Sequence, residues 1–169
     1  MIAFLGSGNM ATAFAEGLLA KNAATQSALR CFSASGKSAA ALAEKTGILQ
    51  ARSLVELLAG ADTLVVAFKP QHLATADPVL ANLTDGKLVL SVLAGKKISS
   101  LQRVFPRARN IVRTMPNTPG QIGAGITGWC VTAPLRATDR ATVETILGAL
   151  GKAVEVAEPQ MDAVTGVSG

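Results

Sequence analysis

The 169-residue sequence has no tyrosine, one histidine, one tryptophan, two cysteines and only 16% charged residues. Each scarcity excludes something. Aromatic residues make up 4% and the 16 Lys and Arg are scattered, so there is no stacking platform or basic stripe for nucleic acid. The formal net charge of +5 suits an anionic small molecule as well. Cys31 and Cys130 stand alone inside apolar runs, which reads as two buried free thiols in a reducing compartment rather than a disulfide or a metal pair. His72 has no partner for nucleophilic catalysis and reads as a surface residue at a helix start. No metal-ligand spacing, repeat, linker or low-complexity tract occurs. The longest strongly apolar runs, residues 63–68 and 88–94, are too short to span a bilayer. Met1 leads straight into an apolar strand, so no targeting segment is expected in front of it. The expectation is a soluble cytoplasmic protein that binds neither membrane nor nucleic acid. Hydrophobic residues reach 49%, more than a doubly covered parallel sheet consumes, so another domain or subunit is expected to cover some surface.

What is present is organised around residues 1–19. Ile2-Ala3-Phe4-Leu5 reads as a buried parallel strand, Gly6-Ser7-Gly8-Asn9-Met10-Ala11 as a glycine turn, and Met10, Phe14, Leu18 and Lys21 mark one side of a helix. Strand, glycine turn and helix in that order form a dinucleotide-binding fingerprint, with Ala11 in the third glycine place. Gly6 permits the tight turn. Gly8 keeps side-chain atoms away from a pyrophosphate, and Ala11 lets the helix pack closely. Asn9, Met10 and Ala11 then offer free N–H groups at the positive end of the helix.

The remaining chain alternates strands and helices, predicting an α/β fold. It is expected to be Rossmann-like and doubly wound, with helices on both faces of a mostly parallel sheet and an extra strand–helix–strand at its C-terminal end. Strands are expected at residues 28–32, 48–51, 63–68, 87–92, 110–114, through 129–131, and at 153–156. Helices are expected at 37–46, stopped by Gly47, from 53 onward with Ser53 as cap, at 98–105, and at 139–150 between Thr138 and Gly151. The tip of the second strand carries no acid to hold an adenine-ribose diol. Ser33, Ser35 and Lys37 stand there instead; they either receive a ribose 2′-phosphate, favouring NADPH over NADH, or form a serine turn that caps the next helix. Ser53 is either that helix cap alone or also a ribose contact. Later strand ends deliver Ala67, Phe68, Lys69 and Pro70, then Ala94 and Gly95, as candidates to line the nicotinamide side. Met115-Pro116-Asn117-Thr118-Pro119 forms a stiff loop, either a wall for a small polar substrate or a plain turn.

Together FLGSGNMATA, VVAFKPQ, SVLAG, VRTMPNTPGQIGAG and DAVTGVSG resemble the pyrroline-5-carboxylate reductase family along essentially the whole chain. The resemblance implies hydride transfer from NAD(P)H to Δ1-pyrroline-5-carboxylate, giving L-proline. It assigns Gly6, Gly8, Asn9, Met10 and Ala11 to the pyrophosphate and Ser33, Ser35 and Lys37 to the 2′-phosphate. Ala67, Lys69, Pro70, Ala94 and Gly95 fall to the nicotinamide half; Met115, Asn117 and Thr118 fall to the substrate. It names no proton donor. Glu158 and Asp162 are the acids nearest the expected domain junction, Glu158 standing as a weak catalytic candidate, and both equally suit helix starts. The family continues into a helical dimerisation domain, which implies that residues 1–157 are the NADP-binding half and 158–169 the start of the connection, with homo-oligomers forming through the further domain. The competing readings are another reductase of the 6-phosphogluconate-dehydrogenase-like group and a stand-alone NADP-binding module without chemistry.

Overall fold

The computed structural model describes residues 1–117, 119–120 and 123–161. Its first half repeats strand and helix: β1 (Ile2–Leu5), α1 (Asn9–Ala20), β2 (Leu29–Phe32), α2 (Lys37–Thr46), β3 (Leu49–Gln50), α3 (Leu54–Leu58) and β4 (Thr63–Val66). A 3₁₀ turn (Pro70–Thr75) follows, then α4 (Leu80–Leu83), β5 (Leu88–Ser91), α5 (Ile98–Val104) and β6 (Asn110–Met115). The described residues close with β7 (Gly125–Val131), α6 (Ala137–Gly148), β8 (Gly151–Glu155) and a 3₁₀ turn (Glu158–Gln160).

The strands form one sheet in the order β3-β2-β1-β4-β5-β6-β7-β8. All neighbours are parallel except β6 and β7. After β3 the chain crosses to the far side of β1, so the order reverses between β1 and β4, the place where sheets of this type bind ligands. The register aligns Leu5 with Phe32 and Val66, Val66 with Ser91, and Ser91 with Arg113. Five strands therefore finish along one edge.

Both faces are covered, which explains why β4 and β5 are buried at every position instead of alternating with solvent. Phe4, Val65, Leu90, Val112 and Trp129 meet Phe14 and Leu18 of α1 and Val143, Ile146 and Leu147 of α6. On the other face Leu64, Val66, Val89 and Ile111 meet Leu57, Leu58, Leu101 and Phe105. Cys31 and Cys130 are buried free thiols, as expected. Burial pushes the Cys31 thiol up, and burial with the charge of Glu158 pushes Cys130 to about 11, so neither is an activated thiolate.

Several boundaries differ from the sequence expectation. The last helix begins at Ala137 behind Arg136, and Thr138 is not its cap; the Thr138 carbonyl accepts the Thr142 hydroxyl at 3.0 Å. Gly151 does not stop that helix but opens β8, at φ +134°, where an added Cβ would stand 2.2 Å from the Gly125 carbonyl oxygen. Lys21 lies outside the buried face of α1: its ammonium donates to the Gly148 carbonyl at 2.5 Å, at the end of α6. Ser53 caps α3 as expected, accepting from Glu56 N–H at 3.1 Å, while the Glu56 carboxylate returns to Arg52 N–H at 2.9 Å rather than to Ser53. Among the described residues six large apolar side chains are exposed. Among them Ile126 and Val154 share one face of β7 and β8.

Candidate dinucleotide and substrate site

The site is assembled where β1, β2, β4, β5 and β6 end. Gly6 leaves β1 at φ +103°, and an added Cβ would lie 2.4 Å from the Ala67 carbonyl carbon. Its N–H donates to the Phe32 carbonyl at 2.9 Å, and Ala67 N–H donates to Leu5 O at 2.8 Å. The glycine turn is thus pressed against the loop after β4 and stitched to the end of β2. Only a residue without a side chain fits this crossing.

Gly8 is different in kind. It is the N-cap of α1, without a side-chain cap, and the first turn carries no acid. Its carbonyl accepts Thr12 N–H at 3.0 Å and the Thr12 hydroxyl at 3.1 Å. A Cβ there would meet no atom within 4 Å. The first turn of α1, which carries the N–H groups of Asn9, Met10 and Ala11, therefore starts beside open space at Gly8, with Asn9 exposed, Met10 half-buried and Ala11 buried. This is a cradle of hydrogen-bond donors at a positive helix end, suited to a pyrophosphate.

At the tip of β2 one of the two alternatives is visible for Ser33: its Oγ accepts Ala39 N–H at 3.2 Å, so this hydroxyl oxygen serves α2. Its O–H remains a donor. Ser35 and Lys37 are exposed, and no ion pair holds Lys37 among the described residues. The side chain of Ser53 is exposed and engaged with Glu56. Further along the edge, half-buried Ala67 and exposed Lys69 precede Pro70, the first residue of its 3₁₀ turn. Ala94 and Gly95 are exposed after β5, and Gly95 has φ +70° with open space where a Cβ would be.

At the end of β6, half-buried Met115 packs beside Ile98 and Cys130. Asn117 Oδ1 accepts Ile126 N–H at 2.9 Å, which ties the loop to β7 and leaves the Asn117 amide nitrogen as a donor. Thr118 and Asp162 lie outside the described residues. Glu158 is committed elsewhere: its Oε1 accepts from Ile98 N–H at 2.7 Å and from Arg113 Nη1 at 3.2 Å. The edge therefore runs from the 2′-phosphate candidates through the glycine cradle to residues 67–70, 94–95 and 115–117, the order in which a dinucleotide and then a substrate would lie. Sequence reasoning passed over two members. Ser7 is buried in the glycine turn, its Oγ donating to Phe32 O at 3.4 Å. Arg113 is 3% exposed within β6; a lone cation inside the run Ile111-Val112-Arg113-Thr114 was the available signal.

Comparison with known proteins finds relatives along the chain. Residues 1–95 match the family model described as NADP oxidoreductase coenzyme F420-dependent. The chain is 34% identical to the pyrroline-5-carboxylate reductase of Escherichia coli over 169 residues, covering 99% of this chain and 63% of that protein. It superposes on a pyrroline-5-carboxylate reductase structure from Coxiella burnetii with a TM-score of 0.91 at 28% identity, covering 99% of this chain and 63% of that one. A Plasmodium falciparum pyrroline carboxylate reductase with NADP bound gives 0.85 at 28% identity, with coverages of 99% and 62%. The chain thus spans under two thirds of the length of these relatives.

Proposed function

Since the chain belongs to the NADP oxidoreductase coenzyme F420-dependent family, we propose that it is the cofactor-binding part of a reductase that converts Δ1-pyrroline-5-carboxylate to L-proline with NADPH. One observation carries the reading: the open space at Gly8 in front of the uncapped first turn of α1. A Cβ there would fill the place of a pyrophosphate, and the N–H groups of α1 need an acceptor. The Plasmodium falciparum relative with NADP bound supports the choice of ligand.

When bound, the cofactor supplies a hydride for the imine carbon. The protein's part is placement. Gly6, Gly8, Asn9, Met10 and Ala11 hold the phosphates. Ser33, Ser35 and Lys37 receive the 2′-phosphate, with Ser53 beside the ribose. Ala67, Lys69, Pro70, Ala94 and Gly95 shape the nicotinamide side, and Met115, Asn117 and Thr118 face the imine. The domain assignment, residues 1–157 for the cofactor and 158–169 leading onward, belongs to the same proposal, as do a homo-oligomer formed through a further helical domain and a cytoplasmic location. Among the described residues no helix is long and apolar enough to cross a membrane.

Fluorescence titrations with NADPH and NADH test the reading. NADPH is expected to bind saturably and at least about tenfold more tightly, the worth of one charge-assisted contact to the 2′-phosphate. Equal affinities would remove the roles of Ser33, Ser35 and Lys37, and absence of binding would remove the cofactor reading. Reduction of the imine, followed as NADPH consumption in protein of the relatives' full length, tests the reaction.

A further inference from the structure

Residues 156–161 turn back from β8 onto the start of α5. Val156 N–H donates to Trp129 O at 2.9 Å. Met161, with no exposed surface, packs with Ile98, Cys130 and Met115. Glu158 sits between these two attachments, giving one oxygen to Ile98 N–H and Arg113 together. The Arg113 side chain is 4% exposed and that of Glu158 35%, so the carboxylate is the wetter end of a largely buried pair.

Helix α5 has no cap of its own. Its N-cap residue, Lys97, makes no side-chain hydrogen bond, and its first turn carries no acid. Glu158 supplies that cap from 60 residues further along the chain. The bond stands at one root of the loop formed by residues 92–97. At the other root, Leu93 N–H donates to Ser91 Oγ at 3.2 Å. Between them Ala94 and Gly95 are exposed. Met115, in the same apolar cluster as Met161, leads into Pro116 and Asn117. One short segment therefore braces the roots of both loops at the nicotinamide end, while the glycine cradle and the tip of β2 lie across β4.

Resting on the cofactor reading above, we propose that Glu158 is a positioning residue. Acting through Ile98 N–H, it sets where the 92–97 loop stands, and so how firmly the nicotinamide half of the dinucleotide is held. The adenosine half is indifferent to it. Oε1 of Glu158 is shared by both donors.

The test compares two probes by calorimetry: NADPH, and 2′,5′-ADP, which carries the adenosine half alone. Glu158→Gln keeps an oxygen for Ile98 and is expected to stay within about twofold of wild type for both. Glu158→Ala, and Glu158→Asp with its charge kept but its reach shortened, are expected to weaken NADPH about tenfold and 2′,5′-ADP less than about twofold. If circular dichroism shows Glu158→Ala unfolded, the Asp and Gln variants carry the comparison. NADPH affinity unchanged in Glu158→Asp, or both probes weakened alike, overturns the positioning role. Wild-type protein that binds neither probe overturns the cofactor reading, and the inference with it.

Discussion

Gly6 and Gly8 stand two positions apart in one turn, yet they serve different masters. At Gly6 a methyl group would collide with the Ala67–Phe68 peptide, and φ is +103°. Gly6→Ala is therefore expected to destabilise the fold by about 2–4 kcal/mol, read by urea unfolding. At Gly8 no protein atom stands in the way. Gly8→Val should melt within a few degrees of wild type and lose NADPH affinity by more than about 100-fold, because its side chain occupies ligand space. A Gly8→Val protein that binds NADPH normally would remove the cradle assignment. The contrast separates a glycine needed by the chain from one needed by the ligand. Sequence spacing already assigned Gly6 to the turn and Gly8 to the ligand; what it could not supply was the folded partner of Gly6, a peptide 61 positions downstream.

Among the elements, α6 is secured to the sheet by charge as well as packing. Arg109 donates to Asp139 at 2.7 Å, to Asp62 at 2.7 Å and to the Gly86 carbonyl at 2.8 Å, and Arg136 donates to Asp139 at 2.9 Å. Hydrogen bonds from Arg109 first, then Arg136, hold the Asp139 carboxyl at about 2 against an ordinary 3.8; Asp62 is lowered too, by Arg109. A depressed carboxyl stabilises the fold fully above its unfolded value and progressively less as pH falls towards its folded one. Stability from Asp139 should thus be complete at neutral pH and decline between about pH 4 and 2. Asp139→Asn is expected to cost roughly 2 kcal/mol at pH 7 and to flatten that acid slope, measured by urea unfolding across a pH series. The start of α6 was placed two residues late: Asp139 is a first-turn acid, but the N-cap is Arg136 rather than Thr138, and the Asp139 carboxylate is held by Arg136 and by Arg109, 30 residues away. By contrast α2, with its Gly47 stop at φ +76°, carries its boundaries locally and was legible. Glu158 was read as either a weak catalytic candidate or an acid at a helix start; it does open the 3₁₀ turn Glu158–Gln160, but the helix it caps is α5, which no local pattern announces.

For the molecule as a whole, the ligand edge was readable because it follows from topology: parallel strands separated by helices must end on one side, and glycine turns mark where. The antiparallel placement of β7 left no such mark. If the edge closes on one dinucleotide, binding stabilises the entire fold. NADPH at about 100 times its dissociation constant should add about 2.7 kcal/mol, a rise of about 5–10 °C in Tm for a chain of this size, with a smaller rise for NADH at the same concentration. No shift with either would argue against a preformed site. The strand order carries one more consequence. From β4 onward, order in space is order in sequence, β4-β5-β6-β7-β8. A chain emerging from the ribosome can complete β3-β2-β1-β4 from its first 66 residues and then grow by accretion, each newly made strand docking on the one made just before it. At every stage after β4 the template exposed on that growing side is the newest strand, which limits the time each successive edge on that side has to find a wrong partner.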